Sequence, residues 1–139
     1  MIQRMQTIWL ILAATAAFLT LKFSFFSGNI IAANQTRSFQ YLTAAGNLVI
    51  LLLTVILGLA AFIAIFLFKN RKLQLRISLL GLVVSLLNIV LYYYQTRKFA
   101  EGNYDLTAII TLLIPIFFVL AARGINKDQK LVKSLDRLR

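Results

Sequence analysis

The chain has no cysteine and no histidine, and only four acidic residues: Glu101, Asp105, Asp128 and Asp136. Missing cysteine excludes disulfides, thiolate metal ligands and cysteine nucleophiles. Missing histidine removes the imidazole ligands and the commonest general base. No catalytic set, no metal set and no cofactor set is read from the 139 residues. There is one proline, Pro115, and only 14% of residues are charged, against roughly 25% in a soluble domain. What fills the chain is hydrocarbon: 60% of the residues are hydrophobic and the mean hydropathy is +0.84.

That apolar content falls into four runs, and a bilayer-spanning helix needs about 20 mainly apolar residues. The runs predict spans over about 7–26, 44–68, 77–94 and 106–122, within one membrane domain covering 1–139. The first, TIWLILAATAAFLTLKFSFF, contains AATAA and so also invites a signal-peptide reading. Its apolar run continues past the alanines, which favours a retained helix. The last is short, and Arg123 can lengthen it by reaching back to the membrane edge.

Fifteen basic residues against four acids give a formal charge of +11. Their placement predicts orientation. Arg4, Lys69, Arg71, Lys72, Arg76, Arg123, Lys127, Lys130, Lys133, Arg137 and Arg139 fall on one side of the four spans. Arg37, Arg97 and Lys98 fall on the other, and Lys22 lies within the first span. Short basic loops stay cytoplasmic. Both termini are therefore expected inside, with external loops over 27–43 and 95–105. The charge is split among membrane-edge segments, which suits anionic lipid and not nucleic acid. Trp9 at the inner level, and Tyr41, Tyr92, Tyr93, Tyr94 and Tyr104 at the outer level, read as interfacial belts. NQT at Asn34–Thr36 matches a glycosylation sequon, but three-residue matches arise often by chance and it is given no weight.

Within the spans, Lys22, Asn47 and Asn88 form the possible intramembrane polar site. Snorkelling explains Lys22, although Glu101 or Asp105 in the second external loop could approach it. Thr54, Ser85 and Thr111 are expected to join Asn47 and Asn88 in interhelical hydrogen bonds. Ala13 with Ala17, Ala60 with Ala64, and Gly81 with Ser85 are small pairs that permit close helix approach. Pro115 is expected to kink the fourth span, with Thr107 or Thr111 satisfying the freed backbone.

The chain closes with INKDQKLVKSLDRLR. Gly124 is expected to end span four, and Asn126 with Gln129 to cap a separate amphipathic helix. Leu131, Leu135 and Leu138 share one face of that helix, and Lys130, Lys133 and Arg137 the other. Such a helix suits the membrane interface. The acids Asp128 and Asp136 point instead to a docking surface. Arg4, Lys127, Asp128, Lys130, Lys133, Asp136, Arg137 and Arg139 are the candidate partner- or membrane-binding residues.

MIQRMQTIW at the start and KDQKLVKSLDRLR at the end resemble a family of small four-span membrane proteins of unknown function found in Bacteroidota. The matching positions are Gln3, Arg4, Lys127, Asp128, Lys130, Leu131, Val132, Ser134, Asp136, Arg137, Leu138 and Arg139. The resemblance implies a bacterial inner membrane and no known reaction or ligand. The fold expected is an all-α, four-transmembrane-helix antiparallel bundle with a short cytoplasmic C-terminal amphipathic helix. The function expected is non-enzymatic: an accessory or scaffolding subunit of a larger inner-membrane complex, with other membrane subunits as partners. A small transporter or channel acting as a homo-oligomer is the alternative, using Lys22, Asn47, Asn88 and the Pro115 kink. A lipid-directed enzyme built on Glu101 and Asp105 ranks last.

Overall fold

Hydropathy dictates the elements. The computed structural model describes the backbone of residues 3–31 and 36–136, with the side chains of 5–31 and 36–134. Among the described residues there are four α-helices: α1 (Gln3–Leu19), α2 (Leu48–Phe66), α3 (Arg71–Thr96) and α4 (Ala108–Asp136). Three strands join them: β1 (Phe26–Ile31), β2 (Arg37–Leu42) and β3 (Glu101–Tyr104). Three segments are long and apolar enough to cross a membrane: α2 with the 3-10 turn that follows it (Leu48–Lys69), α3 (Arg71–Thr96) and most of α4 (Ala108–Ser134). The apolar part of α1, Met5–Leu19, is shorter.

Helix α1 packs against α2 and α4, and α3 closes the circuit by packing on both of them. The small residues explain how closely they meet. Ala13, Ala17, Ala61, Ala64 and Ala121 are buried with Leu10, Leu57, Ile114 and Phe118 in one core cluster. Gly81 of α3 admits the Phe118 ring of α4: a Cβ there would lie 2.5 Å from the ring. Most remaining large apolar side chains face outward, including Leu80, Val83, Leu87 and Val90 of α3. An apolar exterior is what a hydrocarbon solvent requires and what water would penalise.

At one end the chain is not a set of plain loops. The strands form an antiparallel sheet in the order β2-β1-β3, with Phe26 opposite both Leu42 and Tyr104. Gly28 and Gly102 face one another across β1 and β3, and a side chain on Gly28 would overlap the Glu101 carbonyl. A second core cluster sits beneath the sheet, made of Phe25, Phe26, Leu42, Ala44, Ile50, Tyr92 and Ala108. The opposite end carries the α2–α3 connection, Leu67–Lys69 and Asn70, beside the C-terminal half of α4. These are called the sheet end and the basic end below.

Several expectations are corrected here. The first span was expected to reach Phe26, but α1 ends at Leu19 and Phe26 opens β1. A turn intervenes because Thr20 Oγ1 and the backbone amides of Leu21 to Phe23 fold back on residues 16–19. Gly124 was expected to end span four. Instead α4 continues unbroken to Asp136, with no separate tail helix. A glycine stops a helix only when the following residues leave it. Here the carbonyl of Gly124 accepts a hydrogen bond from Gln6 Nε2 at 3.2 Å, and Ile125 and Asp128 are held in the interior. Tyr92 was expected in an interfacial belt, but it is 1% exposed and stacks on Phe25 with ring centroids 4.7 Å apart. Tyr41, Tyr93, Tyr94 and Tyr104 are exposed.

Candidate functional site

Polar side chains gather at three levels. At the basic end, Arg71 opens α3 and Asp128 lies on α4. Arg71 Nη1 donates to the Asp128 carbonyl at 3.2 Å, and Arg71 Nη2 lies 3.9 Å from Asp128 Oδ2. Both side chains are largely buried, and Asp128 Oδ2 has no hydrogen-bond donor of its own. The two side chains thus meet by charge across 3.9 Å, and the hydrogen bond between the residues goes to the Asp128 backbone. Gln74 Nε2 donates to the Ala64 carbonyl at 2.9 Å, tying α3 to α2. Gln6, Gln74, Arg71 and Asp128 border an open groove of about 580 Å³ whose other walls include Ile8, Ile65, Phe66 and Phe68. A second cavity, of about 620 Å³, shares Arg71 and is lined also by Lys69, Lys72 and Lys133.

In the interior, Asn88 of α3 is 1% exposed and donates from Nδ2 to Thr54 Oγ1 of α2 at 3.1 Å. Thr54 passes its own proton to the Ile50 carbonyl at 2.7 Å. The Tyr92 phenol lies beside the hydroxyls of Thr20 and Thr54, so the end of α1, α2 and α3 meet in one polar cluster. Asn88 Oδ1 is buried without a donor. An orphaned acceptor of this kind costs about 1–3 kcal/mol, so it marks either a bound donor or a tolerated defect.

At the sheet end, Asp105 accepts hydrogen bonds from Ser24 Oγ and, at 2.7 Å, from Ser27 Oγ. Thr107 Oγ1 donates to the Ser24 carbonyl. Three hydrogen bonds from four side chains therefore clamp the segment after α1 to the entry of α4. Thr107 was expected to support the Pro115 backbone, but this contact takes it away from α4. Pro115 itself lies inside α4, which runs through it. Glu101 lies 3.9 Å from Arg37, both exposed. Neither acid is paired with Lys22.

The sequence-predicted residues are thus dispersed. Lys22 is exposed in the turn after α1 and is not within a helix. Asn47 caps α2, its side chain accepting from Val49 N at 3.0 Å and Ile50 N at 3.4 Å. That cap satisfies donors a helix start leaves free. Only Asn88 of the intramembrane trio is buried in the bundle. Lys127, Lys130 and Lys133 are exposed along α4. Asp128 faces inward, which removes it from any exposed docking surface. The side chains of Arg4 and Asp136, and all of Arg137 and Arg139, lie outside the described residues.

Sequence reasoning missed Arg71 as the partner of Asp128, and it missed Gln6, Thr20 and Gln74. A glutamine directly before the first span and one of only two acids among six tail cations were the available signals. No curated protein and no solved structure matches the chain. Residues 2–138 match the family model described as a domain of unknown function (DUF4293), and the chain belongs to that family.

Proposed function

We propose that this chain is a non-enzymatic integral membrane protein whose four helices cross a bacterial inner membrane as an antiparallel bundle. In this reading both termini are cytoplasmic, the basic end lies inside and the sheet lies outside. The asymmetry of lysine and arginine supports the orientation. The shortness of α1 is compatible with it, because Arg4 and Lys22 flank the apolar stretch and can reach the two interfaces.

The role proposed is that of an accessory or scaffolding subunit in a larger membrane complex. One observation carries it. Helix α4 continues past Gly124 and exposes Lys127, Lys130 and Lys133 beside half-exposed Leu131 and Val132. A solvated face needs no leucine and valine there, whereas a docking surface combines apolar contact with charge. Native purification in mild detergent after crosslinking tests the reading. A partner is expected to co-purify with the full chain and to be lost when Leu131 becomes Asp. A protein that always runs alone, crosslinked only to itself, rules the role out.

The orphaned Asn88 Oδ1, within the Thr20, Thr54 and Tyr92 cluster, favours a second reading: a small transporter or channel acting as a homo-oligomer. Solute flux into proteoliposomes, compared between the natural chain and Asn88→Leu, decides between them.

A further inference from the structure

We propose that the basic end holds one anionic phospholipid, its phosphate in the lysine-lined cleft and an acyl chain along the adjoining groove. The inference rests on the membrane reading above but not on the accessory role or on which face is cytoplasmic.

Charge comes first. Lys69 and Lys72 flank the start of α3, and Lys133 faces them from α4 across the cleft of about 620 Å³. No acid among the described residues lines that cleft. Asp128, which lines the adjoining groove, already holds Arg71. Arg71 is therefore balanced, and three lysines remain as a surplus. Each keeps a flexible stem, so the three can converge on one phosphate. Asn70 and Gln129 add neutral hydrogen-bonding groups to the same lining.

Shape comes second. Arg71 also borders the groove of about 580 Å³, whose walls include Ile8, Ile65, Phe66 and Phe68. The polar cleft thus opens beside an apolar trough at the level where α2 ends. A free anion would use only the first cavity. A molecule with a charged head and a hydrocarbon tail uses both, and that complementarity selects a phospholipid over inorganic phosphate. The Arg71–Asp128 pair forms the boundary between the two cavities and keeps α3 and α4 in register around the head.

The test uses the full chain in detergent, titrated with short-chain phosphatidylglycerol and read by native mass spectrometry and by thermal unfolding. One lipid is expected to remain bound and to raise the unfolding temperature. Phosphatidylcholine of equal chain length, and inorganic phosphate, are expected to do neither. Lys72→Gln/Lys133→Gln removes one cation from each side of the cleft and is expected to weaken binding at least about tenfold, from the stabilisation each basic residue supplies near anionic lipid. Arg76→Gln/Arg123→Gln removes the same charge elsewhere on α3 and α4 and is expected to change binding less than twofold. Circular dichroism checks that both variants fold. Equal losses in the two variants would mean diffuse surface attraction and overturn the site. Equal binding of phosphatidylcholine, or stabilisation by inorganic phosphate alone, overturns it too. Loss of a co-purifying protein partner leaves this result unaffected, so the two readings fail separately.

Discussion

The Arg71 guanidinium and the Asp128 carboxylate, 57 residues apart in the chain, lie 3.9 Å from each other at the junction of α3 and α4. Exposed pairs contribute about 0–1 kcal/mol, and breaking a buried pair costs about 3–5 kcal/mol. Both side chains are largely covered, but 3.9 Å is long. We expect Asp128→Ala to destabilise by about 2 kcal/mol, between those limits. Replacing both residues, as Arg71→Met/Asp128→Leu, is expected to recover most of the loss, because no charge is then stranded. Thermal unfolding in detergent measures this. A double variant no better than Asp128→Ala contradicts the pairing.

Two glycines with similar apparent crowding are expected to behave differently. A Cβ at Gly81 would meet the Phe118 ring at 2.5 Å, and one at Gly58 would meet the Phe18 ring at 2.7 Å. Phe118 is fully buried, whereas Phe18 is 43% exposed and can swing outward. Gly81→Ala is expected to cost about 1–3 kcal/mol through overpacking. Gly58→Ala is expected to be neutral or to gain up to about 1 kcal/mol from helix propensity. Gly81→Ala/Phe118→Leu should restore stability. Equal effects of the two alanines refute this account of α3–α4 packing.

Asp105 organises the sheet end through Ser24 and Ser27. Hydrogen bonds to a charged group are worth about 1.5–3 kcal/mol each, less where water competes. Asp105→Ala is expected to cost about 2 kcal/mol and to speed hydrogen exchange of β1 amides, leaving the α2 amides protected. Uniform acceleration across the chain means the clamp is not local.

Asn88→Leu removes the orphaned acceptor and refills the volume. If Asn88 only packs, stability should stay within about 1 kcal/mol, since a relieved acceptor offsets the lost bond to Thr54. Asn88→Ala should cost more, because it leaves a cavity. A drop with Asn88→Leu as large as with Asn88→Ala implies that a bound donor, water or solute, normally satisfies Oδ1.

The absence of cysteine makes topology directly testable. Gln40→Cys on β2 and Ser134→Cys on α4 each place one thiol at an exposed position. In intact cells an impermeant maleimide is expected to label only the first. Labelling of Ser134→Cys inverts the proposed orientation.

Three of the four spans were legible, and their centres agree with α2, α3 and α4. Hydropathy over twenty residues is a local sum, so a long apolar run needs no tertiary knowledge to be found. Boundaries were less legible. Phe23 to Phe26 are apolar and extend the first run, yet Phe25 and Phe26 enter the sheet cluster. The alternation that makes β1 a strand is hidden by the hydrophobicity around it. Asn47 was read as intramembrane because it sits beside a hydrophobic run, and a helix cap is found there for the same reason.

By itself the sequence determined which segments avoid water, where positive charge collects, and that thiol and imidazole chemistry are absent. Each is a property of composition along a stretch. Only the tertiary structure decided that α4 runs through Gly124, that Asp128 faces Arg71, that Tyr92 turns inward, and that the loops pair as a sheet. Apart from the β1–β2 pairing, those outcomes depend on groups 50 to 120 residues apart meeting in space. Burial then gives each polar atom a choice of partners that no local pattern records.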